Sequence, residues 1–386
     1  MRVSVLQENL ARGLSIVTRA VSPRSTLPVL ANVLVATDEG RLRLSATNLE
    51  LGITCWIGAK IQEEGSTTVP ARTFSDLVAT LPGGNQVEMS LTVRTQTLNV
   101  HCGASNTDLK CIDAQEFPPM PVSDVSQGLE LNVMDFKEMI QQVVFAASTD
   151  DARPILTGVL VTVKGDTITL AAADGFRLSV RKARLSSPAA RPLSAVIPAR
   201  ALSELARIAS DGDKTLTMIT PPGRAQVIFR VGDVELVSQL IDGMFPDYEQ
   251  IIPRRCDTRA VLSTSAFLKA CKQAEIFARE GSHIAKLNIQ PGGELKPGVV
   301  EITGQSEETG SNQNIVDANI EGPGLLIAFN VRFLREVLDV IRTPNVALET
   351  TANNLPGVIR PVESPDNPLA GQGEFLHVIM PMHLGS

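Results

Sequence analysis

Aromatic residues are scarce in this chain. One Trp, one Tyr and 12 Phe among 386 residues make 4% in all, so the cores must be filled by Leu, Val, Ile and Ala, which a hydrophobic content of 43% can supply. A basic excess is absent too. There are 35 Lys and Arg against 42 Asp and Glu, a formal net charge of −7. That balance excludes a protein that coats nucleic acid by bulk attraction and confines any phosphate contact to a local patch. No apolar run is long enough to span a bilayer, and no signal peptide opens the chain, so no membrane partner is expected. The five cysteines (Cys55, Cys102, Cys111, Cys256 and Cys271) are odd in number and contain no CxxC pair. The expectation is a reduced, cytoplasmic protein with free thiols.

Catalytic signatures are missing as well. His101, His283, His377 and His383 show no HxxxH or HExxH spacing, and neither a GxxxxGK[ST] loop nor a GxSxG elbow occurs. Asp150-Asp151 and Asp211-Gly212-Asp213 have the chemistry to hold a divalent cation, but they read first as solvated loop acids. No catalytic residue, metal ligand or cofactor is assigned. A metal-dependent enzyme acting on nucleic acid or nucleotide stays as one alternative, and an acidic scaffold that binds proteins but never DNA as another.

What is present is a repeat. Residues 6–20, 133–148 and 264–280 read as amphipathic helices of one design. Their apolar residues recur at i, i+4 and i+7: Leu10, Leu14 and Val17; Phe136, Ile140 and Val143; Phe267, Cys271 and Ala274. A second helix type follows the frame x-x-Arg-x-apolar-x-acid-apolar. It appears in Pro70-Ala71-Arg72-Thr73-Phe74-Ser75-Asp76-Leu77, in Pro198-Ala199-Arg200-Ala201-Leu202-Ser203-Glu204-Leu205 and in Asn330-Val331-Arg332-Phe333-Leu334-Arg335-Glu336-Val337. Both markers recur at a period of about 130 residues. A third marker, Glu116-Phe117-Pro118-Pro119-Met120 and Met244-Phe245-Pro246-Asp247-Tyr248, closes the first two units. Linkers are expected at residues 122–128 and 253–258. Between the helices the chain alternates with period two, as in residues 41–45 and 87–93. Gly165-Asp166 separates two such runs in hairpin fashion. The predicted fold is α+β: three tandem similar domains at residues 1–122, 128–253 and 257–384, each with two helices packed on antiparallel sheets.

Five segments, in order, add a resemblance. They are Ser25-Thr26-Leu27-Pro28-Val29-Leu30, Thr68-Val69-Pro70-Ala71-Arg72, Ala173-Asp174-Gly175-Phe176-Arg177-Leu178, Asp242-Gly243-Met244-Phe245-Pro246-Asp247-Tyr248 and Val378-Ile379-Met380-Pro381-Met382-His383-Leu384. Over essentially its full length the chain resembles the bacterial DNA polymerase III β subunits, the sliding clamps. The resemblance implies the DNA clamp fold and a head-to-tail homodimer closing into a ring, with helices lining the hole and sheets outside. It implies a DNA replication processivity factor, not an enzyme, with no cofactor. The implied partners are double-stranded DNA, encircled without sequence preference, DNA polymerase III, the clamp loader and other proteins carrying a clamp-binding motif. Gly385-Ser386 stand beyond the family's usual end.

Residue by residue, the resemblance implies DNA contacts at Arg24 and at Arg153, whose neighbours Pro154-Ile155 replace a pair of Tyr. The repeated-helix cations Arg72, Arg200 and Arg332 would face phosphate from the lining. The six helical windows hold 12 Lys and Arg against 9 Asp and Glu. That fits a weakly basic lining in an acidic body, although ordinary solvated helix charges would give the same count. The implied partner-peptide pocket comprises Leu156, Ala173, Gly175, Phe176, Arg177, Leu178, Pro246, Gln250, Ile251, Val378, Met380, Pro381 and Met382, an apolar cleft with an adaptable Met-Pro-Met wall. Phe176, Ala173 and Gln250 stand where His, Thr and Arg occur in other members, which makes the cleft greasier and less basic. Plain core packing is the competing reading for Leu156, Leu178 and Val378. For dimer closure the resemblance points to an edge strand at Leu109 meeting Ile276 and Phe277, with Thr107 in place of an aromatic.

Overall fold

The computed structural model describes residues 1–22, 27–121, 128–210, 212–293, 296–363 and 374–383. Six α-helices form among them: α1 (Gln7–Val17), α2 (Ala71–Thr80), α3 (Val133–Val143), α4 (Ala199–Ile208), α5 (Thr264–Ala278) and α6 (Val331–Val340). The first helix type ends earlier than its periodicity predicts. Residues Thr18–Ala20 and Val144–Ala146 tighten into 3₁₀ turns. Both exits carry adjacent β-branched residues, which crowd the preceding turn. At the first exit Thr18 Oγ1 donates to the Leu14 carbonyl at 2.7 Å. The predicted second linker is also one residue too long, because Thr258 opens a strand and is buried.

The chain folds as two compact units: Met1–Phe136 with Glu204–Leu240, and Lys137–Ser203 with the described residues from Ile241 onward. The first unit holds a five-stranded sheet in the order Lys60–Glu63, Arg2–Leu6, Gln86–Thr92, Thr97–Cys102, Ser105–Lys110. It also holds an eight-stranded sheet in the order Leu129–Asn132, Thr215–Ile219, Gln226–Val231, Val234–Gln239, Leu51–Gly58, Arg41–Thr47, Asn32–Asp38, Ser66–Pro70. The second unit holds a twelve-stranded sheet. Its order is Leu193–Pro198, Gly158–Lys164, Thr167–Ala173, Arg177–Arg184, Phe375–Ile379, Gly357–Val362, Asn345–Thr350, Thr258–Ser263, Gly310–Glu321, Gly298–Ser306, Ile284–Gln290, Leu325–Asn330. The middle repeat therefore gives strands to both units. Successive repeats are fused edge to edge, by Leu51–Gly58 with Val234–Gln239 in the first unit and by Arg177–Arg184 with Phe375–Ile379 in the second. Such pairing hides strand edges that would otherwise invite aggregation.

Helices pack on the sheets through the aliphatic content that the composition promised. Leu10, Leu14, Leu42, Leu44, Ile53 and Met89 are fully buried in the first unit. In the second, Phe267, Leu287, Ile302, Phe329 and Leu334 share one core. Each such side chain contributes roughly 1.5–3 kcal/mol by leaving water. The approach is close. A Cβ on Gly304 would lie 2.3 Å from the Ala274 carbonyl oxygen, so α5 rests on its sheet at backbone distance.

Candidate functional site

The seam of the second unit positions the candidate peptide cleft. After Thr167–Ala173 the chain turns at Asp174, whose Oδ1 accepts the N–H groups of Phe176 at 2.9 Å and Arg177 at 3.1 Å. Gly175 sits at φ +94°, a conformation that suits glycine. This turn throws Phe176 outward, 61% exposed, and turns Arg177 inward. Leu178 then pairs with Val378 across the seam. One step on, the Met380 N–H donates to the Phe176 carbonyl at 2.8 Å, and the Met382 N–H donates to the Ala328 carbonyl at 2.8 Å. The tail residues Met380, Pro381 and Met382 are thus held by backbone bonds at both ends, with Met380 beside Phe176.

Beneath them, Leu156, Ala173, Leu178 and Val378 join one buried cluster with Phe245, Val196 and Val358. Pro246, Gln250 and Ile251 are exposed on the adjoining segment, where Gln250 Nε2 donates to Asp247 Oδ2 at 2.8 Å. The predicted residues therefore separate into an apolar floor and an exposed rim. Leu156, Leu178 and Val378 are packed in that core, as the competing reading has them.

Arg177 belongs to neither part. It is buried, its Nε donates to Asp174 Oδ2 at 3.0 Å, and its Nη2 donates to the Phe145 carbonyl at 2.7 Å. Its Nη1 donates to Glu336 on α6. The guanidinium also lies over Phe333, 4.1 Å from the ring centroid. Burial alone would raise the Glu336 carboxyl, but the hydrogen bond and charge of Arg177, joined by Arg332, hold it below the usual carboxylate range. Sequence reasoning missed Phe145, Phe245, Phe333 and Glu336 as parts of this site. The Arg332–Glu336 spacing signals only their own i,i+4 pair, at 2.9 Å. It also missed the buried pair behind the tail, where Ser179 Oγ and His377 Nδ1 are hydrogen-bonded at 2.5 Å. Burial, and then the charge of Arg177, press the His377 imidazole well below its ordinary value, so it is neutral.

Three of the five candidate DNA contacts sit on helix starts. Arg72, Arg200 and Arg332 each occupy the second residue of α2, α4 and α6, all are exposed, and none of these helices has an acid in its first turn. Cations are disfavoured there by the helix dipole, by about 0.3–1 kcal/mol each. Arg72 lies 3.8 Å from Asp76, and Arg332 pairs with Glu336. Arg200 has no ion pair among the described residues. Arg153 folds back on the cleft's own turn: Nη2 donates to the Asp174 carbonyl at 3.4 Å, and Nη1 stands over Gly175. Arg24 lies outside the described residues.

Of the candidate interface residues, Ile276 is exposed on α5 and Phe277 is half-buried. Leu109 lies on the edge strand Ser105–Lys110, but its side chain is buried within its own unit, so only its backbone faces the open edge. A second open edge exists on Gly310–Glu321, which pairs with Thr258–Ser263 only over residues 318–321. Ile315 stands exposed beyond that pairing.

The cysteines are all unpaired, and burial pushes the Cys55 thiol up to about 11. Among the described residues no group of three His, Cys, Asp or Glu is placed to hold a metal, and no helix is long and apolar enough to cross a membrane.

The chain matches three family models end to end: the DNA polymerase III beta subunit N-terminal domain over residues 1–121, the central domain over 130–247 and the C-terminal domain over 249–383. It is 32% identical over 391 residues to the beta sliding clamp of Synechococcus elongatus, covering all of both chains. It is 31% identical to that of Bacillus subtilis, covering 93% of this chain and 96% of the relative. The crystal structure of the DNA polymerase sliding clamp from Bacillus subtilis superposes with a TM-score of 0.91 at 28% identity, with full coverage of both chains. A Pseudomonas aeruginosa sliding clamp bound to griselimycin superposes at 0.88 with the same identity and coverage. With three tandem clamp domains of helices on antiparallel sheets, the chain belongs to the DNA polymerase III β subunit family, the bacterial β sliding clamps.

Proposed function

We propose how this member of the sliding-clamp family serves as a processivity factor of DNA replication. Its three clamp domains, at residues 1–122, 128–253 and 257–384, close with those of a second copy into a ring. The open edge at Ser105–Lys110 of one copy meets α5 and the free edge of Gly310–Glu321 of the other, around Ile276, Phe277 and Ile315. A heterologous contact of this kind closes when its rotation returns to the start.

Duplex DNA passes through the ring without being read. Arg72, Arg200 and Arg332, together with Arg24 and Arg153, supply phosphate contacts that carry no sequence information. A helix N-terminus and an exposed Arg at the same point both favour an anion, which accounts for cations kept where the dipole opposes them.

The cleft at Phe176 and Met380 docks the polymerase, the loader and other motif-bearing partners. The observation that carries this reading is the Met380 N–H bond to the Phe176 carbonyl. It holds two exposed apolar side chains side by side over a packed floor. Exposed apolar side chains held together cost free energy unless a partner covers them. Phe176 and Ala173 make the cleft apolar, so its preferred peptide carries large apolar anchors.

Two measurements test the reading. The protein, loaded on nicked circular DNA, should be retained and then released on linearisation. Met380→Asp should abolish peptide capture while circular-DNA retention persists. Retention that survives linearisation, or unchanged peptide capture, would remove the corresponding half of the proposal.

A further inference from the structure

The first unit contains its own version of the cleft, and it is built differently. The correspondence is residue for residue. Asn48 Oδ1 accepts the N–H groups of Glu50 at 3.0 Å and Leu51 at 2.7 Å, as Asp174 does for Phe176 and Arg177. Leu49 takes the left-handed conformation at φ +77°, matching Gly175 at +94°. Leu51 pairs with Ser238 as Arg177 pairs with Ile379, and the Gln239 N–H donates to the Glu50 carbonyl at 2.8 Å, as Met380 does to Phe176. Leu30, in the turn Pro28–Ala31, packs with Phe117, as Leu156, in the turn Pro154–Thr157, packs with Phe245. The turn, the seam pairing, the backbone bond across it and the Leu–Phe contact are therefore present a second time, with Glu50 in place of Phe176, Leu51 in place of Arg177 and Gln239 in place of Met380.

Beside this seam lies a cavity of about 640 Å³, with Pro119, Met120, Pro121, Arg224, Gln226 and Gln239 in its wall. Three features point to a ligand. The Pro119-Met120-Pro121 wall is apolar, with the Met120 methyl reaching over Gly52. Gln226 Oε1 is shielded from solvent and has no donor among the described residues, so an acceptor waits for an N–H. Arg224 is exposed and forms no ion pair among the described residues, so a guanidinium waits for a carboxylate. Next to Glu50, whose carbonyl accepts the Gln239 N–H, Leu49 is a bulky residue held in a left-handed conformation that costs about 1–3 kcal/mol, and it is 52% exposed.

We propose that this groove is a second docking surface, for an extended peptide that places an acidic side chain on Arg224, a backbone N–H on Gln226 Oε1 and apolar side chains on Pro119-Met120-Pro121 and Leu49. It takes a more polar and more acidic ligand than the Phe176–Met380 cleft, and two different partners can be held by one chain at once. The inference rests on the geometry of the first unit and does not need the other cleft to bind anything.

The test is a selection of random nonapeptides displayed on phage against the full-length protein carrying Phe176→Asp and Met380→Asp, which silences the other cleft. Enrichment of sequences with Asp or Glu flanked by apolar residues is expected. A synthetic member should bind with one site per chain and lose at least tenfold in affinity with Arg224→Glu, while Arg224→Lys keeps most of it. Arg224 is exposed, so both variants should unfold at the parent temperature. No enrichment, or peptides indifferent to Arg224→Glu, would overturn the proposal. So would concentration-dependent self-association that Arg224→Glu abolishes, which would assign the groove to a second copy of the chain. A parallel selection on the Arg224→Glu protein with Phe176 and Met380 intact reports on the first cleft separately.

Discussion

Arg177 lies over the ring of Phe333, 4.1 Å from its centroid, while its guanidinium donates to Glu336 one turn further along the same helix. One helix thus supplies both the apolar and the charged support for a buried cation. That cation begins the strand Arg177–Arg184, which carries the floor residue Leu178. Arg177, which the family resemblance places in the pocket, is buried and ties Asp174, at the head of the turn that carries Phe176, to α6.

Removing its partner should therefore loosen the cleft. Glu336→Gln should destabilise the protein by about 2 kcal/mol at pH 7, below the range for fully buried pairs because the carboxylate keeps some solvent. Because the folded Glu336 carboxyl is held below the unfolded value of 4.5, its contribution is complete above that value and is lost as pH falls through the depressed one. Urea titrations at pH 7 and pH 3.5 should show the variant and parent converging in acid. A constant difference would contradict the pairing.

The neutral His377 has the opposite origin but a similar sign. Its folded value lies well below 6.5, so below about pH 6.5 the unfolded chain takes up a proton that the fold refuses. Stability should fall as pH drops below 6.5, by at most about 1.4 kcal/mol per pH unit from this group. His377→Gln should remove that dependence. Thermal unfolding of both proteins between pH 5 and 7.5 measures it, and parallel curves would exclude His377 as the source.

The helix-start arginines separate stability from function. Substituting Arg72 and Arg200 together by Ala, with Arg332 kept because it supports Glu336, should leave the melting temperature unchanged or slightly higher, since each of the two cations opposes its helix dipole. The same variant should leave circular DNA faster, and the slope of log affinity against log salt should shallow by about 0.9 for each phosphate no longer neutralised. Unaltered retention would make these side chains ordinary solvated charges.

Leu49 and Gly175 occupy one conformation in sister turns, and they should respond oppositely. Leu49→Gly relieves left-handed strain and should not destabilise the protein, with a gain of up to about 1 kcal/mol. Gly175→Leu adds strain and places a Cβ 3.1 Å from Arg153 Nη1. It should cost more than about 1 kcal/mol and weaken peptide capture at the Phe176–Met380 cleft. Chemical denaturation of the two variants against the parent decides the matter.

Much of the architecture was legible without coordinates. The i, i+4, i+7 pattern and the recurring Arg frame located all six helices, because helix amphipathicity is written locally at a period of 3.6. The Gly165-Asp166 hairpin was equally readable, with Gly165 at φ +60°. The apolar residues expected at the candidate cleft could be listed, but not sorted into buried and exposed. Leu178 and Phe176 are near neighbours in sequence, and only the Asp174 turn sends one in and the other out.

The tertiary structure alone decided what depends on partners distant in the chain. It paired Leu178 with Val378 and Leu51 with Ser238, fusing successive repeats so that the middle one belongs to two units. It turned Arg177 inward onto Glu336 and Phe333, buried the side chain of Leu109 and set Arg153 against the turn. Periodicity determined which side of an element is apolar. Which neighbour that side meets was settled by sheet register, a property of two strands together that neither carries by itself.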